Sequence, residues 1–375
     1  MTHTPLRLGF IGGGMNSAVG STHFIASQMD GLFRVEAGCF SRNSEVNLRT
    51  ANKWNICSNR TYHSWQSLLE TEQDSLDAVV VLTPTPDHPE QVMNALRMKY
   101  PVICEKALAA CSTDAAMIDA LERDMQGFLG VTYNYSGYPM LRELRAWIQD
   151  NRFGRVEQVQ IEMPQEGFAR LNQEGNPFIA QQWRLVDGVI PTISLDLGVH
   201  LHHLIDFLTG AKPMKLVASH SSFGRYQQVI DNVNAIVCCS GGIECNLWYS
   251  KSALGYRNGL QIRVFGEQGA AEWRQMNPEV LLIHDNRGRT TKLDRASVDV
   301  KVAHLSRYNR FKAGHPAGFL EAFANLYADL AATLNGEQIE DNHRIYSASY
   351  ALEGLRFLEA MANSVRERRW VALDD

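Results

Sequence analysis

The 375-residue sequence predicts a doubly wound, parallel α/β domain followed by an α+β domain built on a large, mostly antiparallel sheet. Three observations lead there. In the first third, short apolar β-branched runs alternate with helical runs, the pattern of right-handed βαβ crossovers. A glycine-rich turn, Gly12-Gly13-Gly14, interrupts the chain after the first of those apolar runs. Beyond about residue 135 the grammar shifts to alternating strands punctuated by Gly and Asn turns, which divides the chain into domains 1–135 and 136–375.

The elements follow in order. Leu6–Ile11 reads as a strand ending at the glycines, and Asn16–Met29 as a helix. Phe33–Phe40 is a strand, Ser44–Trp54 and Ser67–Glu72 are helical, and Leu76–Leu82 is the most continuous buried strand. Pro89–Lys99 is a helix between that strand and Pro101–Cys104, and Phe128–Tyr133 is one more strand. The second domain opens with a helix, Pro139–Asp150, carrying Leu141, Leu144, Trp147 and Ile148 at helical spacing. Val159, Ile161 and Met163 then alternate with Gln160 and Glu162, as in a strand with one wet face. Asn234–Cys239 and Ile243–Ser250 flank a Ser-Gly-Gly turn. Leu260–Phe265 runs into Gly266–Gly269, and Val280–His284 and Thr290–Leu293 flank Asn286–Gly288. Helices over Ala317–Leu334 and Asp341–Ser364 close the chain.

Composition narrows the class. Apolar residues make up 45% and charged residues 21%, as in ordinary globular proteins, and the net charge of −5 comes without any Lys/Arg block. That argues against a nucleic-acid or membrane partner. Seven scattered cysteines, only Cys238 and Cys239 adjacent, suit a reducing compartment, and no apolar stretch at the start is long enough for a signal or membrane segment. The expectation is a cytoplasmic protein.

The chemistry starts at the glycines. Gly12-x-Gly14-x-x-Ser17, with Met15 and Asn16 inside it, follows a strand and opens a helix, the setting of a dinucleotide-binding Rossmann domain. Glycines admit a pyrophosphate to the backbone, and a helix N-terminus favours its charge. Ser17 takes the place of the third glycine. At the end of the second strand, Ser41 and Arg42 stand where NAD-selective sites place a carboxylate, and Glu36 lies too far back to replace it. An Arg there accommodates a 2′-phosphate, so the cofactor is NAD or NADP with a lean to NADP.

Two further stretches carry reactive groups. Pro101–Lys106 is an apolar strand ending in Glu105 and Lys106, at the sheet edge where open α/β folds bind ligands. Asp196, His200 and His203 fall at i, i+4 and i+7 of an expected helix, where a carboxylate would orient a proton-carrying histidine. His202 points away, and no zinc-ligand spacing is present, so no metal is expected. A fully structural role for these histidines stays open. Pro164–Thr192 reads either as a substrate loop or as a plain connection.

Taken together, Gly12–Gly14, Leu82-Thr83-Pro84-Thr-Pro-Asp-His88, Val102-Ile-Cys-Glu105-Lys106 and Asp196-Leu-Gly-Val-His200 resemble the Gfo/Idh/MocA oxidoreductases, the family of glucose-fructose oxidoreductase and inositol dehydrogenase. Tyr133-Asn134 and Trp183-Arg184 are weaker echoes. The resemblance implies a nucleotide-binding domain followed by an open-faced antiparallel sheet often used for oligomer contacts, here a dimer or tetramer. It implies a pyridine nucleotide and a sugar or polyol substrate. It places Thr83, Pro84 and His88 along the cofactor and Glu105 near the nicotinamide, and it matches Lys106, Asp196 and His200 to the catalytic lysine, aspartate and histidine. Tyr133, Trp183, Arg184 and His203 become substrate-binding candidates. Two positions depart from the pattern: Ala107 replaces the proline usual after the lysine, and His203 stands where many relatives carry an acid. A non-redox reaction assisted by tightly held nucleotide, or a nucleotide sensor without activity, remains the alternative.

Overall fold

The structure is a computed structural model and describes residues 4–338 and 343–373. The chain divides into two compact units, one of residues 1–137 and 319–353, the other of residues 138–318 and 354–375.

The first unit alternates strand and helix: β1 (Leu6–Gly12), α1 (Gly20–Gln28), β2 (Phe33–Cys39), α2 (Ser44–Lys53), α3 (Trp65–Thr71), β3 (Ala78–Leu82), α4 (His88–Arg97), β4 (Val102–Glu105), α5 (Ser112–Asp124) and β5 (Leu129–Thr132). All five strands are parallel, in the order β2-β1-β3-β4-β5. β3 (AVVVL) and β4 (VICE) are buried at every position, as expected of strands covered on both faces. Chain order reverses between β1 and β3, where Gly12 pairs with Leu82; this switch point is where open sheets leave a ligand crevice. Helix starts are set locally, Asn43 accepting from the N–H of Val46 at α2 and Ser64 from that of Ser67 at α3.

The expected sheet is therefore present, with two differences. The first helix starts at Gly20 rather than Asn16, for a packing reason given below. The periodicity also gives no sign of α5, whose buried residues are only Ala115, Ile118 and Asp119.

The second unit holds α6 (Pro139–Gln149), β6 (Val156–Pro164), α7 (Val199–Thr209), β7 (Pro213–Ser221), β8 (Asn232–Cys239), β9 (Glu244–Ser250), β10 (Gln261–Gly266), β11 (Gly269–Arg274), β12 (Leu281–Asp285) and β13 (Thr290–Leu293). α8 (Phe319–Leu334), α9 (Ala348–Glu367) and β14 (Val371–Ala372) end the chain. The Asp341 expected to open the last helix lies outside the described residues. The nine strands run β13-β12-β11-β10-β6-β9-β8-β7-β14, antiparallel except for β6 beside β9. β7 escapes pattern reading because only Leu216 among its nine residues is fully buried.

α8 belongs to the first unit. Phe323, Leu326, Tyr327 and Leu330 enter the same core as Leu8, Phe10, Phe33 and Val80. A second feature of that unit is an ion network around Glu72, whose side chain is 4% exposed. Arg60 donates to both carboxylate oxygens (2.9 and 2.6 Å) and also binds Glu36, while the Tyr62 hydroxyl donates to Glu72 at 2.7 Å. Burial pushes the Glu72 carboxyl up, but Arg60, Ser75 and Tyr62 together hold it down at about 2. A folded-state pKa below the unfolded value stabilises above the unfolded pKa, and that stability is lost as pH falls through the folded one. Glu72→Gln is therefore expected to cost roughly 3 kcal/mol at neutral pH, with the gap to wild type closing between about pH 5 and pH 2. Urea unfolding of both proteins across that range measures it; a gap independent of pH would disprove the assignment.

Candidate active site

The candidate residues fall into two groups, one in each unit. In the first, the glycine loop is shaped by contacts that leave no room for side chains. A Cβ on Gly12 (φ +81°) would lie 2.9 Å from the Thr83 nitrogen, and one on Gly14 2.8 Å from the Phe40 carbonyl oxygen, to which the Gly14 N–H donates. The tightest glycine is one the fingerprint did not mark. A Cβ on Gly20 would stand 1.7 Å from the Gly13 carbonyl oxygen, so Gly20 fills the role expected of Ser17. The loop is longer than the standard spacing because Ser17 caps it instead: its hydroxyl accepts from the N–H groups of Val19 (3.3 Å) and Gly20 (3.2 Å). Met15 donates its N–H to Thr50, and Asn16 is exposed. The cradle fits a dinucleotide: bare backbone at the switch point, ahead of a helix N-terminus.

Around it, Ser41 is half-buried and Arg42 exposed just past β2. Thr83 and Pro84 are half-buried at the end of β3, with the Thr83 hydroxyl donating to Gln91. His88 is 1% exposed, and its ring nitrogens lie 2.9 Å from the Ala107 carbonyl and 2.8 Å from that of Thr83. The ring thus ties the end of β3 to the residue after Lys106. The Lys106–Ala107 peptide bond is cis.

Glu105, the last residue of β4, is buried. Its Oε1 accepts from His23 Nε2 at 3.2 Å and from the Thr132 hydroxyl, and His23 Nδ1 lies 2.9 Å from the Tyr327 hydroxyl. Burial pushes the Glu105 carboxyl up, but the hydrogen bond from His23, then Lys106 and Thr132, bring it below its ordinary value. Pattern reading found Glu105 and missed His23, Thr132 and Tyr327, which lie on three other elements. Tyr133 is 2% exposed, its ring edge-on to Tyr346 and Tyr350.

In the second unit, the Asp–His stretch is not the regular helix expected. Ser194–Gly198 form a π-helical turn that leads into α7. Bare backbone at Gly198 lets the turn sit against its neighbours: a Cβ there would be 2.8 Å from Leu358 and 3.1 Å from the Tyr249 hydroxyl, which also meets Ser194 at 2.8 Å. Such turns recur at functional sites. Asp196 is bound by both Arg184 and Lys251. The Arg184 contact joins a weak sequence echo to the site, and Trp183 lies beneath the same guanidinium at 4.5 Å. Lys251, 6% exposed, was missed; a lysine directly after the strand that ends Trp248-Tyr249-Ser250 was the available signal.

His200 and His203 are buried on α7, with His203 stacked on Phe207. His202 instead packs on Phe357, and burial together with Lys212 pulls it down to about 3, as for a histidine kept neutral in the core. Within the loop between β6 and the π turn, Asp187 accepts from the Thr192 N–H and hydroxyl and from the Ile230 N–H, which pins its far end. No group of three or more His, Cys, Asp or Glu side chains suited to a metal occurs among the described residues, and no helix there is long and apolar enough to cross a membrane.

A parallel sheet with a glycine cradle at its switch point, together with an α+β unit with a large antiparallel sheet, defines a two-unit protein of the dinucleotide-binding class. Residues 6–133 match the oxidoreductase family with NAD-binding Rossmann fold, and residues 141–272 match the GFO/IDH/MocA C-terminal domain. The chain belongs to the Gfo/Idh/MocA family and is an NAD(P)-dependent oxidoreductase. It is 28% identical to the uncharacterized oxidoreductase YfiI of Bacillus subtilis, over 97% of this chain and 95% of that one. It is 24% identical to the inositol 2-dehydrogenase of Rhizobium meliloti, over 80% and 81%. Among solved structures, the inositol dehydrogenase homolog of Azotobacter vinelandii, complexed with NADH and myo-inositol, aligns with a TM-score of 0.88 at 26% identity, covering 99% of this chain and 98% of that one.

Proposed function

We propose that the protein catalyses reversible hydride transfer at a carbinol carbon of a sugar, inositol or related polyol. The observation that carries this reading is the glycine cradle after β1 together with a buried Glu105 that ends β4 of the same sheet and is followed at once by Lys106. The relatives named for inositol oxidation, and the structural neighbour crystallised with NADH and myo-inositol, support the substrate class. The nicotinamide, when bound, supplies the hydride acceptor or donor.

The rest is done by the chain. His200 takes the hydroxyl proton of the alcohol as general base. Asp196, bound by Arg184 and Lys251, orients that histidine or a neighbouring hydroxyl. Lys106 donates to the reacting oxygen and offsets the negative charge that develops there. His88 fixes the backbone on which Lys106 stands. A reduction screen over inositols, aldoses and deoxy- or amino-sugars tests this. Turnover that regenerates the nucleotide within each cycle, with no net reduction, would overturn it.

The dinucleotide is NAD or NADP, and Arg42 supports NADP. A charge-assisted contact of its guanidinium to a 2′-phosphate contributes enough that Arg42→Ala is expected to weaken NADP binding about 10-fold or more while sparing NAD. Equilibrium titration of both nucleotides against both proteins checks it; equal losses for NAD and NADP would remove Arg42 from the site.

A further inference from the structure

Glu105 differs from the buried carboxylates that brace the interior of this chain, Glu143, Glu72 and Asp231. Both oxygens of Glu143 are filled, by Trp147 Nε1 and by the N–H groups of Lys301, Val302 and Ala303. Glu72 is filled on both by Arg60, with Tyr62 and Ser75 added. Asp231, 0% exposed, receives Phe223 and Ser252 on one oxygen and Gly224 on the other. In these three, filling both oxygens avoids the cost of an unpaired buried one. On Glu105 both protein donors, His23 and Thr132, fall on Oε1, and among the described residues Oε2 receives none. The side chain is 9% exposed and lies at the carboxyl edge of β4, the ligand edge of the sheet.

Behind Oε1 stands a chain of groups shut away from water. His23 is 0% exposed and Tyr327 1%. Phe323 covers the imidazole edge-on at 4.8 Å between ring centres. The arrangement that leaves no donor unmatched has the Tyr327 O–H donating to His23 Nδ1 and His23 Nε2–H donating to Glu105, a tautomer assigned by matching donors to acceptors. Tyr327 comes from α8, so a helix some three hundred residues downstream orients a side chain on β4 (the His23–Tyr327 separation is 304).

We propose that His23 and Tyr327 are positioning residues for the dinucleotide site: they saturate Oε1 of Glu105 and fix its carboxylate plane, so that Oε2 is left to accept from a hydroxyl or amide donor of the bound nucleotide. The inference rests on the reading of this protein as a dinucleotide enzyme and adds the residues that set the acceptor.

The test is nucleotide binding by the full-length protein, followed by quenching of tryptophan fluorescence with NADH and NADPH, with thermal unfolding alongside. Losing a hydrogen bond to a charged group is expected to make His23→Leu bind the preferred nucleotide roughly 10-fold more weakly. His23→Gln, whose amide N–H can reach the place of Nε2, recovers most of that loss, which a purely packing role for the ring would not allow. Tyr327→Phe removes one oxygen only, keeps the core filled, and weakens binding by about 3-fold or more. Should His23→Leu fail to fold, the Tyr327→Phe and His23→Gln pair decides the matter. In a Glu105→Ala background neither substitution has an acceptor left to position, so neither changes affinity further. Wild-type affinity in folded Tyr327→Phe and His23→Leu, or a full additional loss in the Glu105→Ala background, would overturn the proposal while leaving the proposed function intact. A wild-type protein that binds neither nucleotide would overturn both.

Discussion

Lys106→Ala is expected to lower turnover by about 100-fold or more while nucleotide affinity stays within a few-fold. The proposed role of Lys106 is a hydrogen bond whose strength grows as negative charge develops on the reacting oxygen. Removing one such donor typically costs about 2.7–4 kcal/mol of barrier. Nucleotide binding is largely spared because the glycine cradle and the Glu105 network remain, although Glu105 loses the positive charge of Lys106, which helps lower its pKa. Steady-state kinetics together with a nucleotide titration separate the two effects. Turnover within a few-fold of wild type would withdraw Lys106 from the chemistry.

Gly20→Ala is expected to have the largest effect on the fold. Its added Cβ would meet the Gly13 carbonyl oxygen at 1.7 Å and the Gly13 carbonyl carbon at 2.4 Å, where real contacts essentially never fall under 3.0 Å. Both are backbone atoms, and Gly13 is itself held in the left-handed region at φ +73° against Leu82, so the loop has no side chain to swing aside. Overpacking of this kind costs about 3 kcal/mol, which for a 375-residue protein lowers the apparent Tm by roughly 4 °C. Nucleotide affinity falls with it, since the displaced atoms form the cradle. Ser17→Ala is the matched control: it loses only two capping bonds, about 1 kcal/mol. Equal effects from the two substitutions would show that Gly20 is not the close-approach glycine.

What was legible in the chain follows from locality. The strands of the parallel sheet are short runs whose every residue is buried, so β3 and β4 announce themselves in composition alone. The glycines at 12 and 14, the Glu105-Lys106 pair at a strand end, and Asp196 with His200 are likewise readable, because backbone clearance and residue type are properties of a few neighbouring positions. The third glycine was misassigned because the fingerprint counts residues, whereas the loop obeys the approach of Gly20 to Gly13 across a longer turn. The regular helix expected through Asp196 gave way to a π turn because Gly198 packs on Leu358 and Tyr249, contacts no local window contains.

The sequence by itself determined the sheet, the cradle and the ionisable groups at the strand ends, since periodicity and small-residue placement act over a few residues. Only the tertiary structure decided which of those groups are held and by what: Lys251 and Arg184 on Asp196, His88 between two carbonyls, and α8 delivering Tyr327 to His23 and through it to Glu105. The physical reason is that a buried charge or imidazole takes its partners from whatever folding brings within about 3 Å. For Glu105 that set is drawn from α1 and β5, with α8 behind it through His23.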